Sequence, residues 1–87
     1  MIIDNDTNFN QMHNGNITVT NAATFTLTGM VNGNITINPN SSCIIHGMVN
    51  GTVINTGGTV NIYGTVSKVQ DISGQTHIDD KAIIVCK

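Results

Sequence analysis

Two cysteines and three histidines are the side chains best suited to bind a metal or to attack a substrate. Cys43 and His46 have the spacing of a zinc-ligand pair, but a structural zinc site needs a second pair, and the sequence offers none. Free cysteine more often serves as a small buried hydrophobic residue, and two cysteines are too few for the disulfide framework of a small secreted protein. We therefore predict that Cys43 lies in the core and that the protein binds no metal.

The acidic residues form no catalytic pair either. Residues 4–8 begin with the spacing of a calcium-binding loop, but Phe9 stands where that loop requires glycine and Gly15 where it requires glutamate. The carboxylates at 79–80 are followed by a lysine, a pattern typical of a solvated turn. The sequence also lacks the Gly-x-Ser-x-Gly turn of a serine hydrolase and a phosphate-binding loop. We expect a protein that is not an enzyme and uses no cofactor.

Charge and hydropathy argue against two further classes of partner. The chain has three basic and five acidic residues and a net charge of −2, so we expect no surface that binds nucleic acid. The longest apolar run, residues 82–86, is too short to span a membrane. Because no basic segment followed by an apolar one opens the sequence, we expect a cytoplasmic protein without a signal peptide.

A repeat of about 18 residues organises the chain. The segment Gly-Met-Val-Asn-Gly-Asn-Ile at residues 29–35 returns as Gly-Met-Val-Asn-Gly-Thr-Val at residues 47–53, and weaker copies begin at Met12 and Gly64. The composition is rich in isoleucine, valine, threonine and asparagine, which is typical of strands with polar, uncharged outer faces. The repeat therefore predicts about four copies of one β unit.

Aligning the copies places similar residues in the same column, with apolar and polar columns alternating as in half-buried strands. No two histidines share a column, so the repeat does not stack a metal site. Two glycine columns, one through Gly33 and one through Gly47, predict corners at which neighbouring units approach closely. The predicted inward residues are Ile17, Ile35, Val53, Phe25, Cys43, Val60, Leu27, Ile45, Ile62, Val31, Val49 and Val66.

Two architectures are compatible with this pattern. In a parallel β-solenoid each copy is one coil of three short strands, and equivalent residues stack in columns. In an antiparallel meander the Asn-Gly pairs at 14–15, 32–33 and 50–51 form hairpin turns. We favour the solenoid, because stacking explains why one residue type returns to one column. The predicted fold class is all-β, a small three-sided parallel β-solenoid of about four coils with an 18-residue repeat.

The phrase Gly-x-Val-x-Gly-x-(Ile or Val), repeated every 18 residues with aliphatic alternation between the copies, resembles the core of the bactofilins, which are bacterial polymer-forming cytoskeletal proteins. The resemblance covers about residues 12–84. It implies a right-handed, three-sided solenoid (a right-handed β-helix) and a protein that polymerises.

We expect one domain over residues 1–87. Residues 1–11 form an N-terminal cap or an imperfect first coil, residues 12–80 form the repeats, and residues 81–87 form a terminal strand flanked by lysines. A solenoid end that is not capped presents unpaired strand edges, which pair with other chains. Whether the ends are capped is therefore the main functional question.

Two functions fit this reading. The first is a scaffold protein that self-associates, as the resemblance to bactofilins implies, so that its partner is a second copy of itself. The alternative is a small immunity-type protein that neutralises one cognate toxin by protein–protein binding. The candidate interaction residues are Met30, Met48, Tyr63, Ile83 and Ile84. For Met30 and Met48, the competing interpretation is that both fill a corner of the core.

Overall fold

The computed structural model describes residues 2–85, which form strands and turns without a helix. The predicted terminal strand includes Cys86 and Lys87, and these two residues lie outside the described part, as does Met1. The strands are β1 (Ile2–Ile3), β2 (Thr7–Phe9), β3 (Met12–Asn14), β4 (Ile17–Val19), β5 (Thr24–Leu27), β6 (Met30–Asn32), β7 (Ile35–Ile37), β8 (Ser42–Ile45), β9 (Met48–Ile62), β10 (Thr65–Ile78) and β11 (Ile83–Ile84). None of the described segments is a helix capable of crossing a membrane.

All strand pairs between described residues are parallel, which confirms the predicted parallel β-solenoid and shows that the antiparallel meander is wrong. The strands stack on three faces. Face A contains β1, β4, β7, residues 53–55 and residues 69–71; face B contains β2, β5, β8, residues 59–62 and residues 75–78; face C contains β3, β6, residues 48–49, residues 65–66 and β11.

Within residues 2–85 each face has five levels, so the described part of the chain forms five coils, where the repeat predicts about four. The additional coil is the N-terminal segment, in which β1, β2 and β3 pair with β4, β5 and β6. Its repeat is weak for a physical reason. Residue 29 requires glycine because a Cβ there would overlap the carbonyl oxygen of Gln11, whereas no coil among the described residues lies before the first one to require glycine at residue 11.

The core lies between the three faces and consists mainly of aliphatic side chains. All twelve residues predicted to point inward are fully buried, Cys43 among them. A further inward column, which the alignment did not identify, runs along face A through Ile3, Val19, Ile37 and Asn55. The core is therefore a stack of aliphatic layers with one polar residue, Asn55, within this column.

Asparagine side chains join the coils on the outside. The Asn32 amide donates to Asn14 Oδ1 at 2.8 Å, and the Asn50 amide donates to Asn32 Oδ1 at 2.7 Å. At the neighbouring corner, the backbone N–H of Asn34 donates to Asn16 Oδ1 at 3.0 Å. These bonds fix the register between coils, because each side chain bonds to the coil directly above or below it.

Candidate interaction surfaces

The residues with potential chemistry are dispersed in the fold. Cys43 is buried among apolar residues, and desolvation raises the pKa of its thiol from 9.0 to about 12, which leaves it protonated and unreactive at neutral pH. Among residues 2–85, no three side chains of His, Cys, Asp or Glu lie close enough together to hold a metal ion. The described side chains with potential chemistry therefore do not meet at one site.

The three histidines lie in different environments. His13 is half-buried in the first coil and contacts the edge of Phe9, with 6.2 Å between ring centroids. His46 stacks on Tyr63 at 5.0 Å with nearly parallel ring planes, and both side chains are exposed at one corner. His77 is exposed in the last coil, in the column of Asn61. Each histidine therefore belongs to a separate column, in agreement with the alignment.

The carboxylates at residues 79–80 lie in the connection between β10 and β11. Asp79 Oδ2 accepts a hydrogen bond from the backbone N–H of Lys81 at 3.0 Å, and the carbonyl of Asp79 accepts another from Ala82. This geometry is that of an aspartate-stabilised turn. The Asp79 carboxylate therefore bonds to its own loop.

Met12, Met30 and Met48 form a column on the outside of face C, which we call the methionine column. The Met12 side chain is 61% exposed, Met48 is also exposed, and Met30 is half-buried with its Sδ 3.8 Å from the Asn50 amide. The column offers a narrow apolar strip of flexible side chains, of the kind that adapts to a protein partner.

The other predicted interaction residues lie elsewhere. Tyr63 is at the corner where it stacks on His46, two residues before Thr65, which pairs with Met48 of the methionine column. Ile83 and Ile84 form β11 in the last coil, where Ile83 is 57% exposed and Ile84 is half-buried against the core. The structure thus divides the predicted residues between the side of the solenoid and its C-terminal end.

In the part of the chain that the structure describes, no further strand covers the N-terminal layer of the solenoid. In the described residues, β1, β2 and β3 pair only with the second coil, so their outer edges are free of strand partners. Ile2 is 68% exposed, and Phe9 is half-buried over Phe25 with 6.2 Å between the ring centroids. This end therefore combines free backbone edges with exposed apolar side chains.

No strand between residues 2 and 85 covers the C-terminal layer either. Among the described strands, β11 and residues 68–78 of β10 pair only with the coil beneath them. The inward side chains of Val69 and Ile84 are half-buried rather than enclosed. The exposed apolar residues of this coil are Ile72, Ile78, Ile83 and Val85.

The candidate interaction residues named from the sequence include Ile83 and Ile84 but not the exposed Ile2, Met12 and Ile72. The register between coils could have revealed these exposed residues, because an apolar residue in the first or last coil has a neighbouring coil on one side only. That signal becomes usable only once the number of coils is known.

Neither family models nor curated proteins nor solved structures yield a match to this chain.

Proposed function

We propose that the protein is a non-catalytic scaffold that self-associates through the terminal coils of its solenoid. The observation that carries the proposal is that, within residues 2–85, both terminal layers have strand partners on one side only. Unpaired N–H and C=O groups on strand edges, with apolar side chains beside them, favour pairing with another chain. The partner that presents strand edges of the same length and spacing is a second copy of this chain.

The exposed side chains of the ends support the same proposal. Ile2 and Met12 at one end, and Ile72 and Ile83 at the other, are each more than half exposed. Association of two end layers removes such side chains from water at a gain of about 25 cal/mol per Å² of apolar area. The resemblance of the repeat to the polymer-forming bactofilins points in the same direction.

The experiment is light scattering coupled to size exclusion over a wide concentration range, with negative-stain microscopy of the most concentrated sample. We expect the average mass to rise with concentration. Phe9→Lys places a charge in the N-terminal coil and Ile84→Lys places one in the C-terminal coil. At least one of these variants should abolish association. Thr36→Lys, on the outside of the middle coil, is the matched control and should associate like the wild type. A constant monomer mass at every concentration would contradict self-association.

A second function, binding of one cognate protein as an immunity-type neutraliser, is favoured by the methionine column. Met48, in the middle coil, is exposed on a side face that end-to-end association leaves free. This function predicts a constant monomer mass and a partner whose binding is lost in Met48→Lys but not in Phe9→Lys.

A further inference from the structure

The face A column through Ile3, Val19, Ile37 and Asn55 ends in a charged residue. Asp71 pairs with Asn55 in the last coil and occupies the next position of this inward column. The four residues below it are buried, whereas Asp71 is exposed because no described coil covers it. An acidic residue therefore marks the C-terminal end of a column that is otherwise aliphatic or amide.

A coil added to the C-terminal end in the same register would bury this carboxylate. If the coil came from a second copy, stacked head to tail, Ile3 would lie over Asp71 and Phe9 over Ile78. The contact between Phe9 and Ile78 is apolar and favourable, but the contact between Ile3 and Asp71 encloses a carboxylate against an aliphatic side chain. Burying an unpaired charge costs more than one apolar contact returns. No charged residue is present in β9, on which Asp71 is paired, so this neighbouring strand offers no cation to neutralise it.

Among the described residues, the N-terminal end carries no carboxylate in its inward positions. These positions are held by Ile3, Thr7, Phe9 and His13. The acidic residues of this end, Asp4 and Asp6, lie in the connection between β1 and β2, where Asp6 Oδ1 accepts a hydrogen bond from Thr24 N–H at 3.0 Å. Two N-terminal layers therefore meet without enclosing an aspartate in the core.

We propose that two copies associate through their N-terminal coils and that Asp71 prevents further growth at the C-terminal ends. The inference rests on the proposed self-association and goes beyond it, because it names the interface and the residue that limits assembly. A contact between two N-terminal ends is two-fold symmetric and closes on itself, whereas a head-to-tail contact repeats without limit. The expected product is a discrete dimer.

The first experiment measures the direction of association. Asn8 and His77 occupy the same column at opposite ends, four coil steps or about 19 Å apart. Asn8→Cys and His77→Cys, each in a Cys86→Ser background, accept one spin label per chain for distance measurement by pulsed electron paramagnetic resonance. In the proposed dimer, the two labels at residue 8 lie close together, and the two at residue 77 lie about 40 Å apart. Equal distances for both pairs, as in a head-to-tail or side-by-side contact, would overturn the proposal, as would a shorter distance at residue 77.

The second experiment tests the role of Asp71 by light scattering and microscopy of Asp71→Asn and Asp71→Val. Asn is the residue found one level below, so the conservative variant retains the fold. Asp80→Asn removes the same charge from the outer turn and is the matched control. We expect both Asp71 variants to form elongated assemblies at concentrations on the order of a hundredfold below any at which the wild type does so. Asp80→Asn should remain a dimer.

The outcomes separate the two proposals. Open-ended filaments of the wild type, or Asp71 variants that stay dimeric, would overturn the role of Asp71 and leave self-association standing. Asp71 variants that polymerise while the wild type stays monomeric would support the role of Asp71 and overturn self-association of the natural chain. Monomers in every variant would overturn both.

Discussion

The side-chain amide of Asn55 bonds to both backbone groups of Gly58. Its Oδ1 accepts from Gly58 N–H at 2.8 Å, and its Nδ2 donates to the Gly58 carbonyl at 3.1 Å. The corner that these bonds close has three residues, 56–58, whereas the corner of the coil beneath has four, 38–41. The buried amide thus supplies the hydrogen bonds that close the shorter corner.

Asn55→Ala should destabilise the protein by about 3 kcal/mol, because the variant loses the bonds to Gly58 and to the carbonyl of Gln75 at 2.9 Å and leaves a small cavity. Chemical denaturation monitored by circular dichroism measures this change. Asn8→Ala, on the exposed side of β2, is the control and should change stability by less than about 0.5 kcal/mol. Equal stabilities of the two variants would show that the amide does not hold the corner.

Gly33→Ala should be strongly destabilising, because a Cβ at residue 33 would overlap the carbonyl oxygen of Gly15 in the coil beneath. The atoms nearest to this Cβ are backbone atoms of the coil beneath, so the two coils must separate locally to admit a methyl group. We expect a loss of about 3 kcal/mol, or roughly 15 °C in Tm. Thr36→Ala, in the strand of the same coil, is the control. A melting temperature within about 3 °C of the wild type would contradict the predicted close approach.

These two sites also show why the sequence predicts part of the fold and not the rest. The glycine column is visible because every coil that lies on another needs the same missing side chain. The aliphatic columns are visible because each layer of the core has the same width. Asn55 departs from the aliphatic pattern of its column because its side chain closes a corner that is one residue shorter than the corner beneath. The first coil departs from the glycine pattern because residue 11 does not require glycine. The role proposed for Asp71 depends on its place at the end of a column, which no local pattern reveals.

Cys43 should react slowly with thiol reagents in the folded protein, and its burial should reduce the free energy of unfolding at high pH. Burial raises the pKa of its thiol to about 12, above the value of 9.0 for an exposed thiol, so the folded state holds the proton more tightly than the unfolded state. Below pH 9 both states are protonated; between pH 9 and pH 12 only the unfolded state ionises, and stability falls by about 1.4 kcal/mol per pH unit.

Cys43→Val removes this dependence while keeping an apolar residue in the column of Val60. The difference in unfolding free energy between Cys43→Val and the wild type should be constant below pH 9 and should shift in favour of the variant above it. Labelling of the folded Cys86→Ser variant with a thiol reagent should be slow at pH 8 and become complete on denaturation. Rapid labelling of the folded variant would place the thiol in contact with solvent.

Ser41→Ala should increase stability. The Ser41 hydroxyl is buried without a hydrogen-bond partner among residues 2–85, and an unsatisfied buried hydroxyl costs about 1–3 kcal/mol. One coil earlier the equivalent corner position is occupied by Ala23, which is likewise buried, so the corner accepts alanine without a change in shape. We expect a gain of about 1 kcal/mol, measured as a higher denaturant midpoint with an unchanged slope. Ser73→Ala, on an exposed position of the last coil, is the control and should have no effect. A loss of stability in Ser41→Ala would mean that the hydroxyl has a partner, such as a buried water molecule, and that this corner is polar rather than strained by an unpaired group.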